Sequence, residues 1–468
     1  MTIGTAHDDR LLALLERHWG YDSFRPLQRE AVEHVLGGGD CLLVLPTGGG
    51  KSMCYQLPAV AAEGCALVLS PLIALMDDQV AAARENGLRA IALHSGLDPE
   101  RRRAALQDLR DPALDLVYVS PERFCFGDLL QQLESRLRLI AIDEAHCISH
   151  WGHDFRPEYR QLAPLLQRVA SVPRLALTAT ATPQVQDDIC RMLELRRPAR
   201  LVGHIDRPNL RYRCWPRRKA IEQILQVVRE HPGEGGIVYA HTRRSTETLA
   251  EKLRARGCNA AAYHAGMRPD ERALVQREFV AERIDVVCAT IAFGMGIDRS
   301  NVRFVIHHNV PKSIEHYQQE SGRAGRDGAP ADCVLLASAG DMATQRALAA
   351  KDGPLEPDRM RAMEEQLRAI GRFAVAPVCR HELLCRHFGQ EYAPPGQQGC
   401  GACDVCLGET DVLDAAQAET IARKILSGVW RCKNRFGTGH VIDLLRGADT
   451  EKIRRAETFN QGFRTVEY

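Results

Sequence analysis

Short apolar runs of four to six residues alternate with stretches of helical periodicity over about the first three hundred residues of the chain. That alternation predicts an α/β fold in which a parallel sheet carries helices on both faces. The predicted strands of the first half are residues 41–45, 66–69, 116–119, 139–142 and 174–177. The pattern then restarts, with strands expected at 236–239, 260–263, 285–288, 303–306 and 333–336. Between the two sets, Pro208 in Asp206-Arg207-Pro208-Asn209 breaks regular structure. From about residue 340 the alternation stops and helical patterns take over, residues 418–429 reading as an amphipathic helix.

At 468 residues the chain is too long for one hydrophobic core, so two or three domains are expected. Its 45% apolar and 26% charged residues are those of a globular protein. No apolar leader precedes the first strand, and no run reaches the roughly 18 apolar residues of a membrane span, so a cytoplasmic protein without membrane contact is expected. The formal net charge of +1 rules out a global positive field. Nucleic-acid affinity would have to come from a local groove. Arg101 to Arg103, Arg217-Arg218-Lys219 and Arg243-Arg244 are the basic patches. Most of the 16 cysteines sit singly inside apolar runs, as Cys41, Cys65 and Cys288 do, and behave as small hydrophobes. The exception is Cys400-Gly401-Ala402-Cys403-Asp404-Val405-Cys406, whose spacing suits one metal ion held by thiolates.

Two strand ends carry the chemistry. After the first strand, Leu45-Pro46-Thr47-Gly48-Gly49-Gly50-Lys51-Ser52 opens a helix, so backbone N–H groups can wrap phosphates at the positive helix end. Lys51 would reach the β- and γ-phosphates and Ser52 would ligate Mg²⁺, although Leu45 stands where the strict phosphate-loop pattern has its first glycine. The run 139–142 ends in Asp143-Glu144-Ala145-His146. Asp143 is suited to hold Mg²⁺ and Glu144 to deprotonate the water that attacks a γ-phosphate. Upstream, Tyr21, Arg25 and Gln28 offer an aromatic face, a guanidinium plane and an amide for an adenine edge. In the second half, Gln319-Glu320-Ser321-Gly322-Arg323-Ala324-Gly325-Arg326 sets two arginines three apart on one expected helical turn, able to clamp a γ-phosphate; Arg326 is the first choice.

The ordered motifs resemble a superfamily 2 helicase and, more narrowly, the RecQ family of DNA helicases. The narrowing rests on Phe24-Arg25-Pro26-Leu27-Gln28, on the loop from Cys147 to Pro157, on Gly294-Met295-Gly296-Ile297-Asp298, and on Gln319 to Gly328. The likeness runs over roughly residues 10–447 and departs at His150, where the family often has glutamine, and at Asn309, where it often has aspartate. It implies two RecA-like lobes with ATP and Mg²⁺ between them and single-stranded DNA across their top, moved 3′ to 5′, in recombination, repair, replication and the SOS response. Trp151 and Phe155 would stack on bases for about 1–3 kcal/mol each, and Arg156 would meet phosphate or base. His153 and Ser70 join the implied DNA contacts. Thr178 and Thr180 resemble the motif that couples the lobes, while Thr290, Gly296 and Asp298 resemble one that reports nucleotide state.

The same resemblance adds Cys379 to Cys400, Cys403 and Cys406 as a structural Zn²⁺ site. Cys385 and His381 are rival ligands, and an iron–sulfur cluster tolerates the same spacing. Residues from Arg435 to Gly447 resemble the opening of a winged helix whose wing hairpin does not fit before Tyr468. The expected segments are therefore residues 1–207 and 208–339 for the lobes, 340–407 for the zinc-binding subdomain and 408–468 for a partial winged helix. Forked DNA, a single-strand-binding protein and recombination proteins are the implied partners of a monomer. Two other readings are an RNA-directed remodelling ATPase and a catalytically silent nucleic-acid binding or annealing protein. The latter predicts damage at Lys51, Asp143, Glu144 or Arg326, and all four are intact.

Overall fold

The computed structural model describes residues 4–71, 73–125, 129–152, 154–294, 299–350, 356–396, 399–410, 414–432, 436–448, 451 and 453–454. The chain divides into two compact units, residues 1–407 and 408–468. The first unit holds two parallel sheets. Seven strands, β1 (Cys41–Val44), β2 (Cys65–Leu69), β3 (Ala90–Leu93), β4 (Leu116–Val119), β5 (Leu137–Ile142), β6 (Arg174–Thr178) and β7 (Ala199–Val202), lie in the order β3-β4-β2-β5-β6-β1-β7. Six more, β8 (Leu210–Pro216), β9 (Gly235–Tyr239), β10 (Ala260–Tyr263), β11 (Val286–Ala289), β12 (Val302–His307) and β13 (Ala331–Ala337), lie in the order β10-β11-β9-β12-β13-β8.

Each sheet is sandwiched by helices, which is why its strands read as unbroken apolar runs. Leu42, Leu67 and Ile140 face one core of the first sheet while their neighbours Leu43, Val68 and Leu175 face the other. The second sheet repeats the arrangement with Ile237, Val287 and Val305 on one face and Val238, Cys288 and Ile306 on the other. These are two RecA-like lobes. Three strands, β3, β7 and β8, are additional to those expected. The edge strands β7 and β8 interleave arginine with apolar residues, so neither shows the continuous apolar signal of a central strand.

After β13 the chain turns helical, with Pro357–Val375 and Arg380–His387 carrying the zinc-binding subdomain. That subdomain is stitched to the outer edge of the second sheet. Tyr212 N of β8 donates to Ala402 O (3.1 Å) and Asp404 N donates to Tyr212 O (3.0 Å). In the second unit the expected amphipathic helix spans Ala415–Arg431, capped by Asp414, whose carboxylate accepts from Gln417 N at 2.7 Å. It packs Gly428 against Leu445 of the following helix, Thr438–Leu445. Among the described residues, no helix is long and apolar enough to cross a membrane.

Candidate active site and metal centre

The phosphate loop leaves β1 and turns through left-handed φ at Gly48 (82°) and Gly50 (75°), positions where a side chain would be strained. Lys51 Nζ reaches back to Leu45 O at 3.0 Å. Burial lowers its pKa from the ordinary lysine value, against the pull of Glu144 and Asp143. Gln28 braces the loop: its Nε2 donates to Gly49 O (3.2 Å) and Gly50 O (3.1 Å), and its Oε1 accepts from Arg25 N at 2.9 Å. Arg25 donates to Gly48 O. Of the expected adenine contacts, Arg25 and Gln28 thus hold the phosphate loop itself, while Tyr21 stands exposed.

The neighbouring strand end supplies the acids. Asp143 N donates to Leu69 O (2.8 Å), and Glu144 follows in a left-handed conformation (φ 47°), its N–H turned onto Asp143 Oδ1 at 3.0 Å. Strain at a non-glycine left-handed residue is a common mark of a functional turn. Burial and the adjacent Glu144 push the Asp143 carboxyl up to about 7, while Lys51 pulls it back. His146 Nδ1 lies 3.3 Å from Glu144 Oε2 and 2.9 Å from Thr178 Oγ1, and Thr178 in turn donates to Thr180 O (3.1 Å). The acidic strand end is therefore wired to the Thr178–Thr180 segment.

The second lobe closes over this group. Gly322 lies against Thr47, and the Arg326 stem lies against Gly48, so that a Cβ on either glycine would meet its neighbour at 3.8 Å and 3.7 Å respectively. Arg323 is buried and donates to Gly294 O. The helix Ile314–Ser321 stops before both arginines, which stand on successive turns, where one helical turn was expected. A clamp holds those turns: Arg207 donates to Gly322 O (2.7 Å) and Gly325 O (2.5 Å), and Asn209 Nδ2 donates to Gly325 O and Ala329 O, both at 2.9 Å. Sequence reading saw only a proline break at 206–209. The partners are more than a hundred residues away, and nothing in the sequence around 206–209 announces the clamp. Between the lobes lies a cavity of about 270 Å³ lined by Glu144, His146, Arg156, Lys312, Gln319 and Arg323.

The loop beyond the acids is folded down. Phe155 stacks on His150 (ring centroids 4.2 Å apart) beneath the guanidinium groups of Arg160 (5.0 Å) and Arg359 (5.8 Å). Trp151 is half-buried against the first lobe, its carbonyl accepting from Gln366 Nε2 at 3.0 Å. Arg156 donates to Pro71 O (3.0 Å) and pairs with Asp154 (3.2 Å). Ser70 is wholly buried at the end of β2, and Thr290 N donates to Tyr263 O at 3.2 Å. His153, Gly296 and Asp298 lie outside the described residues.

The sulfurs of Cys379, Cys400, Cys403 and Cys406 lie within 4.8 Å of one another. One ion bound tetrahedrally at about 2.3 Å sets its sulfurs roughly 3.8 Å apart, which this group fits. Ala402 N and Cys406 N approach Cys400 Sγ (3.3 Å) and Cys403 Sγ (3.4 Å), stabilising thiolates. Gly399 (φ 97°) leaves the room the knot needs, since a Cβ there would fall 2.6 Å from Cys406 Sγ. The rival ligands are engaged elsewhere: Cys385 is core and His381 Nδ1 pairs with Asp206 at 2.5 Å.

Family comparisons agree with this geometry. The first lobe matches the DEAD/DEAH box helicase family over residues 25–189, and the second matches the helicase conserved C-terminal domain over 217–328. Fold and site define a two-lobed, superfamily 2 helicase. The RecQ zinc-binding family matches residues 339–407 and the RQC domain matches 415–462. The chain is 44% identical to the ATP-dependent DNA helicase RecQ of Haemophilus influenzae over 94% of its own length and 70% of the relative's. Against RecQ of Bacillus subtilis it is 38% identical over 95% and 74%. It belongs to the RecQ family of ATP-dependent DNA helicases. The DUF1998 helicase MrfA bound to DNA shares the fold (TM-score 0.61, 22% identity, 78% of this chain and 57% of that one). The zinc-binding match and the RecQ identities disfavour the RNA-directed and catalytically silent alternatives.

Proposed function

We propose that the chain couples ATP hydrolysis to 3′-to-5′ movement along single-stranded DNA and so opens forked duplexes. The observation that carries this reading is the position of Arg326: an arginine of one lobe lies on the phosphate loop of the other, opposite Asp143 and Glu144. Lys51 and the N–H groups of Thr47 to Ser52 hold the phosphates. Ser52 and Asp143 are the residues suited to hold Mg²⁺, which neutralises phosphate charge when bound. Glu144 orients and deprotonates the attacking water, His146 fixes that carboxylate, and Arg326, with Arg323 and Gln319 behind it, stabilises the charge that develops on the γ-phosphate. Tyr21, with Arg25 and Gln28 once released from the loop, borders the base of ATP.

With Ser70 wholly buried, Trp151, His153, Phe155 and Arg156 form the DNA side. The loop they share begins three residues after the acids, so ordering it on DNA repositions Glu144 and His146, which is how DNA stimulates turnover. In this reading residues 1–207 bind nucleotide, 208–339 supply the arginines, 340–407 hold zinc and 408–468 form the winged-helix segment. The protein works as a cytoplasmic monomer with a single-strand-binding protein and recombination proteins as partners. The test is ATP hydrolysis with no nucleic acid, with single-stranded DNA and with RNA of matched sequence, Glu144→Gln serving as background. Strong stimulation by DNA supports the reading; preference for RNA, or turnover that survives Glu144→Gln, overturns it.

A further inference from the structure

One side chain spans the linker between the lobes, bonding to it at two points. Gln390 Oε1 accepts from Ile205 N at 2.8 Å, and its Nε2 donates to Gly203 O at 2.9 Å. One amide thus pairs with two backbone groups two residues apart, as a neighbouring β-strand would. The rest of the linker is tied to the same side: Gln318 Nε2 donates to Ile205 O (3.3 Å), His204 Nε2 meets Glu391 O (3.3 Å) and Asp206 pairs with His381 (2.5 Å). Toward the first lobe, Gly203 N donates to Val44 O at 2.8 Å. Gly203 lies flat against the root of the phosphate loop, where a Cβ would come within 3.0 Å of Leu45 and 3.7 Å of Pro46. Gln390 follows the helix Arg380–His387 that begins just after the zinc ligand Cys379, and its neighbour Gly389 abuts Pro183 of the first lobe.

We infer that Gln390 is a positioning residue for ATP turnover: it fixes the linker against the root of the phosphate loop and so ties the zinc-binding subdomain to closure of the lobes. The assignment rests on the reading of Thr47 to Ser52 as the phosphate loop. With 204–206 bound to the second lobe and the zinc-binding subdomain, bending concentrates at Gly203, which among the described residues is bonded both to the first lobe and to Gln390. The clasp sets the linker in the conformation from which Arg326 reaches the phosphates. Weakening it leaves the chemistry intact and makes the closed state rarer, so more ATP is needed to populate it.

The discriminating variant is Gln390→Glu, which keeps the acceptor for Ile205 N and sets a carboxylate against Gly203 O. With saturating single-stranded DNA, the KM for ATP should rise about three- to tenfold while kcat stays within about twofold, the scale of one lost hydrogen bond. Zinc content and nucleotide-free DNA affinity should not change, and the melting temperature should fall by no more than a few degrees. Gly203→Ala approaches the same junction from the linker, without altering any residue of the zinc-binding subdomain, and should raise KM likewise. An unchanged KM in both variants, or a KM effect that appears only in protein that has lost zinc, overturns the inference. Lys51→Ala run in parallel separates the two assignments: normal turnover there removes the phosphate-loop reading and this inference with it, whereas lost turnover there with an unchanged KM in Gln390→Glu and Gly203→Ala overturns the Gln390 assignment alone.

Discussion

Two acids of the first unit show how differently one chain can treat buried negative charge. Asp143 shares the cleft with an adjacent carboxylate, and its carboxyl is pushed up to about 7. Glu315, on the helix Ile314–Ser321, is at least as enclosed, yet His387 at 2.7 Å holds it down at about 2 in spite of burial. The zinc-binding subdomain repeats the second pattern. Asp404 accepts from Arg380 Nε (2.8 Å) and Nη2 (3.1 Å), from Cys214 N (2.8 Å) and from Val405 N (2.9 Å). In the cleft two adjacent carboxylates share one enclosure, which works against the fold and suits a site that handles a cation and phosphates. Charge around the zinc knot is matched donor for acceptor and serves structure.

The contrast predicts that cleft substitutions cost activity and leave stability alone, whereas substitutions around the knot do the reverse. Replacement of Lys51, Glu144 or Arg326 by alanine should lower DNA-stimulated kcat by about 10³-fold or more with no fall in melting temperature, as read by phosphate release and calorimetry. A Lys51→Ala protein that unfolds would break the comparison at once. Next comes Cys403→Ser, or chelation. Structural zinc in small sites contributes about 10–16 kcal/mol of apparent binding energy, so residues 379–407 should become protease-sensitive as the metal is released. Asp404→Asn leaves Arg380 buried without its charge partner and should cost about 3–5 kcal/mol in urea unfolding.

The loop between the two regions sharpens the picture with a smaller effect. Trp151→Ala should reduce stimulation by DNA roughly tenfold while basal hydrolysis changes less than about twofold. Equal losses would assign Trp151 to folding. The last is a pH effect on stability alone. Because the folded pKa of Glu315 lies below its ordinary value of 4.5, its pairing supports the fold fully above that pH and is lost as pH falls toward 2. The shift corresponds to on the order of 3 kcal/mol. Glu315→Gln should therefore flatten the acid limb of stability between those values, and an unaltered limb would show the pair to be inert.

How much of this was legible depends on whether the signal is local. Strand 116–119 was read residue for residue, because a central strand buried on both faces is an unbroken apolar run, and the edge strand 260–263 was read as well because its four residues, Ala-Ala-Ala-Tyr, are also all apolar. The edge strands β7 and β8 were missed, because one face meets polar surroundings and arginines interrupt the run. The phosphate loop, the acidic pair and the Cys400, Cys403 and Cys406 run are clusters or strand ends with their own spacing, whereas Cys379, 21 residues upstream, came from the family resemblance alone; the structure brings all four cysteines together. The Arg207–Asn209 clamp and the Gln390 clasp are single polar residues with partners far along the chain, and no periodicity announces them. Phe155 shows the limit in reverse. Its residue type announced a stacking surface, but the structure holds the ring on His150 beneath Arg160 and Arg359, so its geometry toward DNA could not be read from residue types.

The stitching of residues 402–404 onto Tyr212 has a colloidal consequence. β8 is the outermost strand of the second sheet, and a bare outer strand presents unpaired amides and carbonyls on which another molecule can template itself. The segment that covers Tyr212 contains the ligand Cys403 and is shaped by the metal knot, so the ion also acts as a lid on a sticky edge. Demetallated protein should then be lost from solution by self-association through that edge, at a rate that rises with concentration, while the phosphate site of the other lobe is still folded.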